Sequence, residues 1–170
     1  AEEGDIGCGF CTPALLLGAK SLLDAVPNPT EDEVREAMLP AYMGLIKQID
    51  DHLGRLFDWL EKTGKDKETM IVFTSDHGDY LGDHWMGEKD LFYDCSARIP
   101  LIVYDPRSEA DATRGMAIDQ LIEGIDLAPT FLEYFGGTSK PHVLEGRSLT
   151  PLLHGFLAPC PVRPRAGRPA

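Results

Sequence analysis

The stretch Met70-Ile-Val-Phe-Thr-Ser-Asp-His-Gly78 constrains the fold more than any other part of this chain. Met70 to Phe73 is a short, unbroken apolar run containing β-branched Ile71 and Val72, the composition of a strand buried on both faces of a parallel sheet. Thr74 and Ser75 end the run. Asp76 and His77 then stand side by side before Gly78, a residue that lets a backbone turn sharply. In open α/β sheets, ligands gather just beyond the carboxyl ends of the strands. A carboxylate and an imidazole delivered there are a hard oxygen donor and a borderline nitrogen donor, suited to one divalent cation. Taken alone, the same dipeptide is also compatible with an ordinary polar loop.

The flanks of this strand read as an alternation of helices and strands. Thr30 with Glu33 forms a capping box, and Glu31, Asp32 and Glu33 fill a first turn where the helix dipole favours acid. Tyr42, Leu45, Ile46, Ile49, Leu53, Leu56, Phe57 and Leu60 recur at spacings of three and four, the apolar stripe of a long amphipathic helix. Pro40 predicts a kink or a division of that helix, and Gly64 predicts its end. Asp50, Asp51 and His52 read as its solvated face. Asp79 to Ala97 is a long polar and aromatic loop, a kind of segment that is often functional. Leu101 to Tyr104 predicts a second buried strand, closed by Asp105-Pro106. Arg107 to Arg114 reads as an exposed turn and Met116 to Ile122 as a further strand. Asp126 is expected to cap a helix with Pro129 in its first turn and Gly136-Gly137 at its end; Ser148 to His154 allows one or two more helical turns.

Several motifs, in one order, carry a family likeness. Thr74-Ser75-Asp76-His77-Gly78, Leu81-Gly82-Asp83-His84, Lys89, Tyr93 and Arg98-Ile99-Pro100-Leu101 resemble the C-terminal half of the sulfatases. The likeness is greatest to bacterial phosphonate monoester hydrolases, members of the alkaline phosphatase superfamily, and runs from about Glu31 to His154. It implies an α/β fold, a mostly parallel sheet with flanking helices, as part of a sulfatase-like domain. It also implies that Asp76 and His77 are ligands of a divalent metal, Ca²⁺ or Mn²⁺. Lys89 and His77 then belong to the catalytic group, with Lys89 on the charged oxygens of an anionic small-molecule ester. Asp83 and His84 are not direct ligands by this likeness, and loop hydrogen bonding is the favoured reading for them.

The family nucleophile is a formylglycine made from cysteine in a Cys-x-Pro-Ser-Arg signature. Cys11-Thr12-Pro13 is followed here by Ala14 and Leu15, so the Ser and the Arg are both absent. Cys11 also lies closer to Asp76 than the nucleophile does in the family. The nucleophile is therefore expected from an N-terminal half that this sequence does not contain. The implied function is hydrolysis of sulfate, phosphonate or phosphate esters; the alternative is a non-catalytic fragment or accessory module that keeps the fold.

Composition sets the remaining bounds. At 170 residues, 43% hydrophobic and 26% charged, the chain is long enough to bury one core. A net charge of −12 argues against nucleic acid and anionic membrane surfaces as partners, while a bound cation and Lys89 would still admit an anionic substrate. Self-association into a homo-oligomer is left open. Cys8 and Cys11 form a Cys-x-x-Cys compatible with redox or zinc chemistry, but no second pair sits at zinc-site spacing, so free thiols are expected. Cys95 reads as packing and Cys160 lies alone. The acidic start with Glu2, Glu3 and Asp5, and the cysteine usage, set the expectation of a cytoplasmic protein without a signal peptide. Residues 1–29 are expected to be an irregular N-terminal segment, 30–155 the hydrolase part, and 156–170 a disordered tail rich in Pro and Arg.

Overall fold

A computed structural model describes residues 12–87, 89–140 and 142–156. Cys8, Cys11, Cys160 and nearly all of the expected tail lie outside the described residues. The chain divides into two compact units, one of residues 1–66 and 72–102, the other of residues 67–71 and 103–170.

The first unit begins with helix α1 (Thr12–Ala25), which packs on α2 (Glu31–Thr63). Of the irregular segment expected at 1–29, the stretch Thr12–Ala25 is thus helical. Leu15-Leu16-Leu17 places three leucines in a row, which hides the helical period from inspection. Gly18 permits the close packing, because a Cβ there would stand 3.2 Å from the Ala37 carbonyl oxygen.

Helix α2 starts as its capping box dictates. The Thr30 hydroxyl accepts the Glu33 N–H at 3.3 Å, and the Glu33 carboxylate accepts the Thr30 N–H at 2.7 Å. Pro40 does not divide the helix. It forfeits one backbone hydrogen bond, yet α2 runs through it as one element of 33 residues. Gly64 ends the helix in the left-handed region at φ 70°, its N–H reaching the Glu61 carbonyl at 3.0 Å. Along the stripe only Leu60 is buried, while Ile46, Ile49, Leu56 and Phe57 are exposed. The 14 residues of α1 are fewer than half those of α2 and can cover only part of the stripe.

Strand β1 (Ile71–Thr74) and strand β2 (Leu101–Tyr104) form a two-stranded sheet. Both were expected to be buried, the first of them on two faces. Ile71 and Val72 are instead half-buried, with Phe73 and Thr74 exposed, and β2 alternates half-buried Leu101 and Val103 with exposed Ile102 and Tyr104. A two-stranded sheet leaves each strand one unpaired edge, and exposure follows.

The long loop after β1 contains a short turn, Asp83–Trp85, and a short helix α3 (Asp94–Ala97). Leu81, His84 and Trp85 all adopt positive φ, at 49°, 58° and 59°. Such conformations cost energy in residues with side chains and persist where neighbours impose them. Here the first two turns of α2 do so. Glu31 accepts the His84 N–H at 2.8 Å, and Arg35 pairs with Asp83 at 2.9 Å.

In the second unit, the turn Ser108–Thr113 and the turn Gly124–Asp126 precede α4 (Leu127–Tyr134), and α5 (Thr150–Leu153) closes the described part. The strand expected at 116–122 does not form, and Leu121 stands 92% exposed. Asp119 and Gln120 interrupt its apolar residues, and no neighbouring strand pairs with them among the described residues. Asp126 occupies the expected cap position but makes no side-chain cap. Its carboxylate accepts the Glu123 N–H at 2.9 Å and the Arg147 N–H at 2.8 Å. Buried Thr130 donates to the Asp126 carbonyl at 2.6 Å and accepts the Leu149 N–H at 2.8 Å. Distant polar groups, rather than a capping bond, fasten α4 to the segment leading into α5.

Candidate metal and anion site

Asp76 and His77 leave β1 as a turn that is fixed from within. The Ser75 hydroxyl donates to the His77 carbonyl at 2.6 Å, and Asp76 Oδ1 accepts the His77 N–H at 3.0 Å. The remaining carboxylate oxygen, Oδ2, lies 3.5 Å from His77 Nε2. His77 Nδ1 sits 2.6 Å from the Gly78 carbonyl, which can only accept, so Nδ1 carries the ring proton in the neutral imidazole. Nε2 is then the nitrogen with a free lone pair. A backbone carbonyl holding the far ring nitrogen is the usual support of a metal-binding histidine.

The donor set therefore fits a divalent cation. Oxygen and nitrogen ligands stand roughly 2.0–2.6 Å from such an ion, and two donors 3.5 Å apart can touch the same one. Asp76 is open to solvent, with 85% of its side chain exposed, while His77 is about a third exposed. The Asp76 carboxyl is held below the ordinary carboxylate range: lost hydration pushes it up, and the His77 amide, its own amide, the imidazole and the Ser75 hydroxyl outweigh that. Among the described residues, no three His, Cys, Asp or Glu side chains converge as a complete metal site.

Gly78 is needed for space rather than for a left-handed turn, since its φ is not positive. A Cβ there would fall 1.9 Å from the Cys95 carbonyl oxygen, far inside contact distance. The Gly78 N–H donates to the Ser96 carbonyl at 2.8 Å, and the Ser96 hydroxyl donates to the Lys89 carbonyl at 3.1 Å. The backbone of Lys89 is thus tied to the residue that holds the Asp76-His77-Gly78 turn. Lys89 is exposed, and its ammonium makes no hydrogen bond or ion pair among the described residues. Asp83 and His84 are otherwise engaged, the first by Arg35 and the second by stacking on Tyr93 at 4.2 Å between ring centres. Cys95 is half-buried and free.

Sequence inspection did not single out Ser96. Its bonds reach 7 and 18 residues away, and a serine inside a four-residue helix carries no local signal of them. A second acid–imidazole pair, Asp105 with His154, was missed as well. Asp105 is buried, accepts Arg107 through bonds of 2.6–3.1 Å, and lies 3.6 Å from His154 Nε2.

Adjacent acid and imidazole donors at the carboxyl end of a strand are chemistry compatible with a divalent cation in an α/β fold. The sulfatase family model matches residues 21–137, and the chain belongs to that family. The multifunctional alkaline phosphatase superfamily protein PehA of Trinickia caryophylli is 45% identical over 123 residues, covering 72% of this chain and 23% of that protein. The phosphonate monoester hydrolase SpPMH of Silicibacter pomeroyi superposes with a TM-score of 0.69 at 38% identity, covering 80% of this chain and 26% of that one. BT4656, solved in complex with its substrate D-glucosamine-2-N,6-O-disulfate, superposes with a TM-score of 0.57 at 32% identity, covering 72% and 24%. These neighbours carry the α/β fold expected for the chain. The chain spans about a quarter of the length of the relatives it matches.

Proposed function

We propose that this chain forms part of a metal-dependent hydrolase of sulfate or phosphonate esters, contributing two metal ligands and one anion-binding cation. The observation that carries the reading is the Asp76–His77 pair, with Oδ2 and Nε2 3.5 Å apart in an accessible strand-exit turn while Nδ1 faces the Gly78 carbonyl. Asp76 and His77 Nε2 would hold Ca²⁺ or Mn²⁺. When bound, such a cation supplies Lewis-acid polarisation of the ester's non-bridging oxygens. His77 Nδ1–H on the Gly78 carbonyl keeps the ring aimed, and the depressed Asp76 carboxyl keeps the site anionic at neutral pH. Lys89 would meet the charged ester oxygens and stabilise charge that grows in the transition state. The relatives' names and the bound disulfated substrate of BT4656 support an anionic small-molecule ester. A covalent nucleophile of the formylglycine kind, and the ligands that complete the metal shell, belong to the sulfatase domain outside the described residues. Groups that act as a unit fail together, so the isolated chain is expected to hydrolyse nothing at an enzymatic rate.

The test grafts residues 21–137 into the Trinickia caryophylli relative in place of its matching stretch. Aryl sulfate and phenyl phosphonate esters are then assayed with added Mn²⁺ or Ca²⁺. Metal-dependent hydrolysis that drops about 10²-fold in Lys89→Ala, the loss typical of one electrostatic stabiliser, supports the assignment. Hydrolysis at an unchanged rate in that variant removes Lys89 from the site.

A further inference from the structure

Ser96 touches both arms of the candidate site. Its carbonyl accepts the Gly78 N–H at 2.8 Å, and its hydroxyl donates to the Lys89 carbonyl at 3.1 Å. Ser96 is 5% exposed, so bulk water does not compete for either bond. The Cys95-Ser96 peptide is also the wall on which the metal-facing turn rests: a Cβ on Gly78 would lie 1.9 Å from Cys95 O and 3.2 Å from Ser96 Cα. That wall is held in turn by α3, where the Ser96 and Ala97 N–H groups donate to the Tyr93 carbonyl at 2.9 and 2.8 Å. Every residue from Lys89 to Tyr93 is exposed, and none of these five lies in a helix or strand.

We propose that Ser96 is a positioning residue, whose hydroxyl anchors the Lys89 main chain, and with it the base of the lysine side chain, to the segment that supports the Asp76-His77-Gly78 turn. The proposal rests on the reading of those three residues as a metal and anion site. A serine suits the task because it couples two main chains with one donor and one acceptor while adding almost no bulk in a buried place. Losing the hydroxyl leaves the Gly78–Ser96 bond in place and releases only the Lys89 end. The effect is then on the geometry between the two arms, not on the metal arm itself.

The test is paramagnetic line broadening by Mn²⁺ in amide NMR spectra of the full chain. In the wild type, Mn²⁺ is expected to broaden the amides of Gly78 and Lys89. In Ser96→Ala the Gly78 broadening persists and that of Lys89 is lost, while Ser96→Thr, which keeps the hydroxyl, restores it. If Ser96→Ala loses its amide dispersion, the same comparison is made with Ser96→Cys, which keeps a side chain there but only a weak donor. Equal broadening of Lys89 in wild type and in the hydroxyl-free variant overturns the positioning role and leaves the metal reading standing. An absence of broadening at Gly78 in the wild type overturns the metal reading, and this proposal with it.

Discussion

Two aspartates follow the two strands of the described residues, and each has an imidazole near it. After β1, Asp76 Oδ2 lies 3.5 Å from His77 Nε2; after β2, Asp105 Oδ2 lies 3.6 Å from His154 Nε2. The groups are the same and the spacings nearly so. Their surroundings differ. Asp76 is 85% exposed and spends one oxygen on a local amide, whereas the Asp105 side chain is fully buried and its oxygens are taken by Arg107. Arg107 is itself held over the Tyr134 ring at 4.4 Å. An acid beside an imidazole is therefore not a site by itself. An open pair leaves lone pairs for a ligand, and a closed pair spends them on the fold.

The largest expected effect lies on the closed side. Asp105→Ala should destabilise the protein by about 2–4 kcal/mol, the range for a buried ion pair losing one partner, reduced because Arg107 is one-third exposed. Asp76→Ala should leave stability almost untouched. Chemical denaturation of both variants checks the contrast, and equal losses would break it.

Next is Gly78→Ala. The added carbon meets a backbone carbonyl, which cannot swing aside as a side chain can, so an overpacking cost of about 1–3 kcal/mol is expected. The Asp76-His77 turn should move with it. Loss of Mn²⁺ binding in a variant that still folds would sharpen the view that the Cys95-Ser96 wall sets this turn. A variant with wild-type stability and binding would contradict it.

Acid should separate the pairs as well. Burial pushes the Asp105 carboxyl up, and the bonds and charge of Arg107, with a smaller contribution from His154, outweigh it and hold the carboxyl below the ordinary carboxylate range. A folded-state value depressed below the unfolded one gives stability that is present above the unfolded value. That stability is lost as pH falls through the depressed folded value. Denaturant midpoints measured down this acid limb should fall in the wild type and fall less steeply in Asp105→Asn. Parallel limbs would show that Asp105 is not the group responsible.

The smallest effect is expected at the clamp on the strained turn. Arg35 and Asp83 are both partly exposed, so Arg35→Ala should cost no more than about 1 kcal/mol. A larger loss, read by denaturation, would mean that the positive-φ residues Leu81, His84 and Trp85 depend on this ion pair.

The same contrast explains what was legible in the sequence. Local chemistry was. The capping box at Thr30 and Glu33, the stop at Gly64, both strands and the helix after Asp126 all follow from neighbours within a few residues. The Asp76-His77 dipeptide was visible because its two donors are adjacent in the chain. Asp105–His154 was not, since its members stand 49 positions apart in the sequence, and Asp105-Pro106 reads equally well as the end of a strand. Ser96 escaped for a related reason: its partners are backbone atoms, which leave no trace in residue type. The supposed strand at Met116–Ile122 failed because strand propensity is realised only against a partner. Pro40 failed to break α2 because a single lost hydrogen bond is a small part of a helix of 33 residues.

The open Asp76–His77 pair should hold a cation. Isothermal titration of Mn²⁺ and of Ca²⁺ into the chain and into Asp76→Ala measures it. Two protein ligands leave most of a hard cation's shell to water, so weak binding is expected in the wild type, with a dissociation constant on the order of 10⁻³ M. In Asp76→Ala that binding should disappear while the fold, followed by circular dichroism, is retained. Identical heats in the two proteins would contradict the assignment and return Asp76-His77 to the status of an ordinary loop.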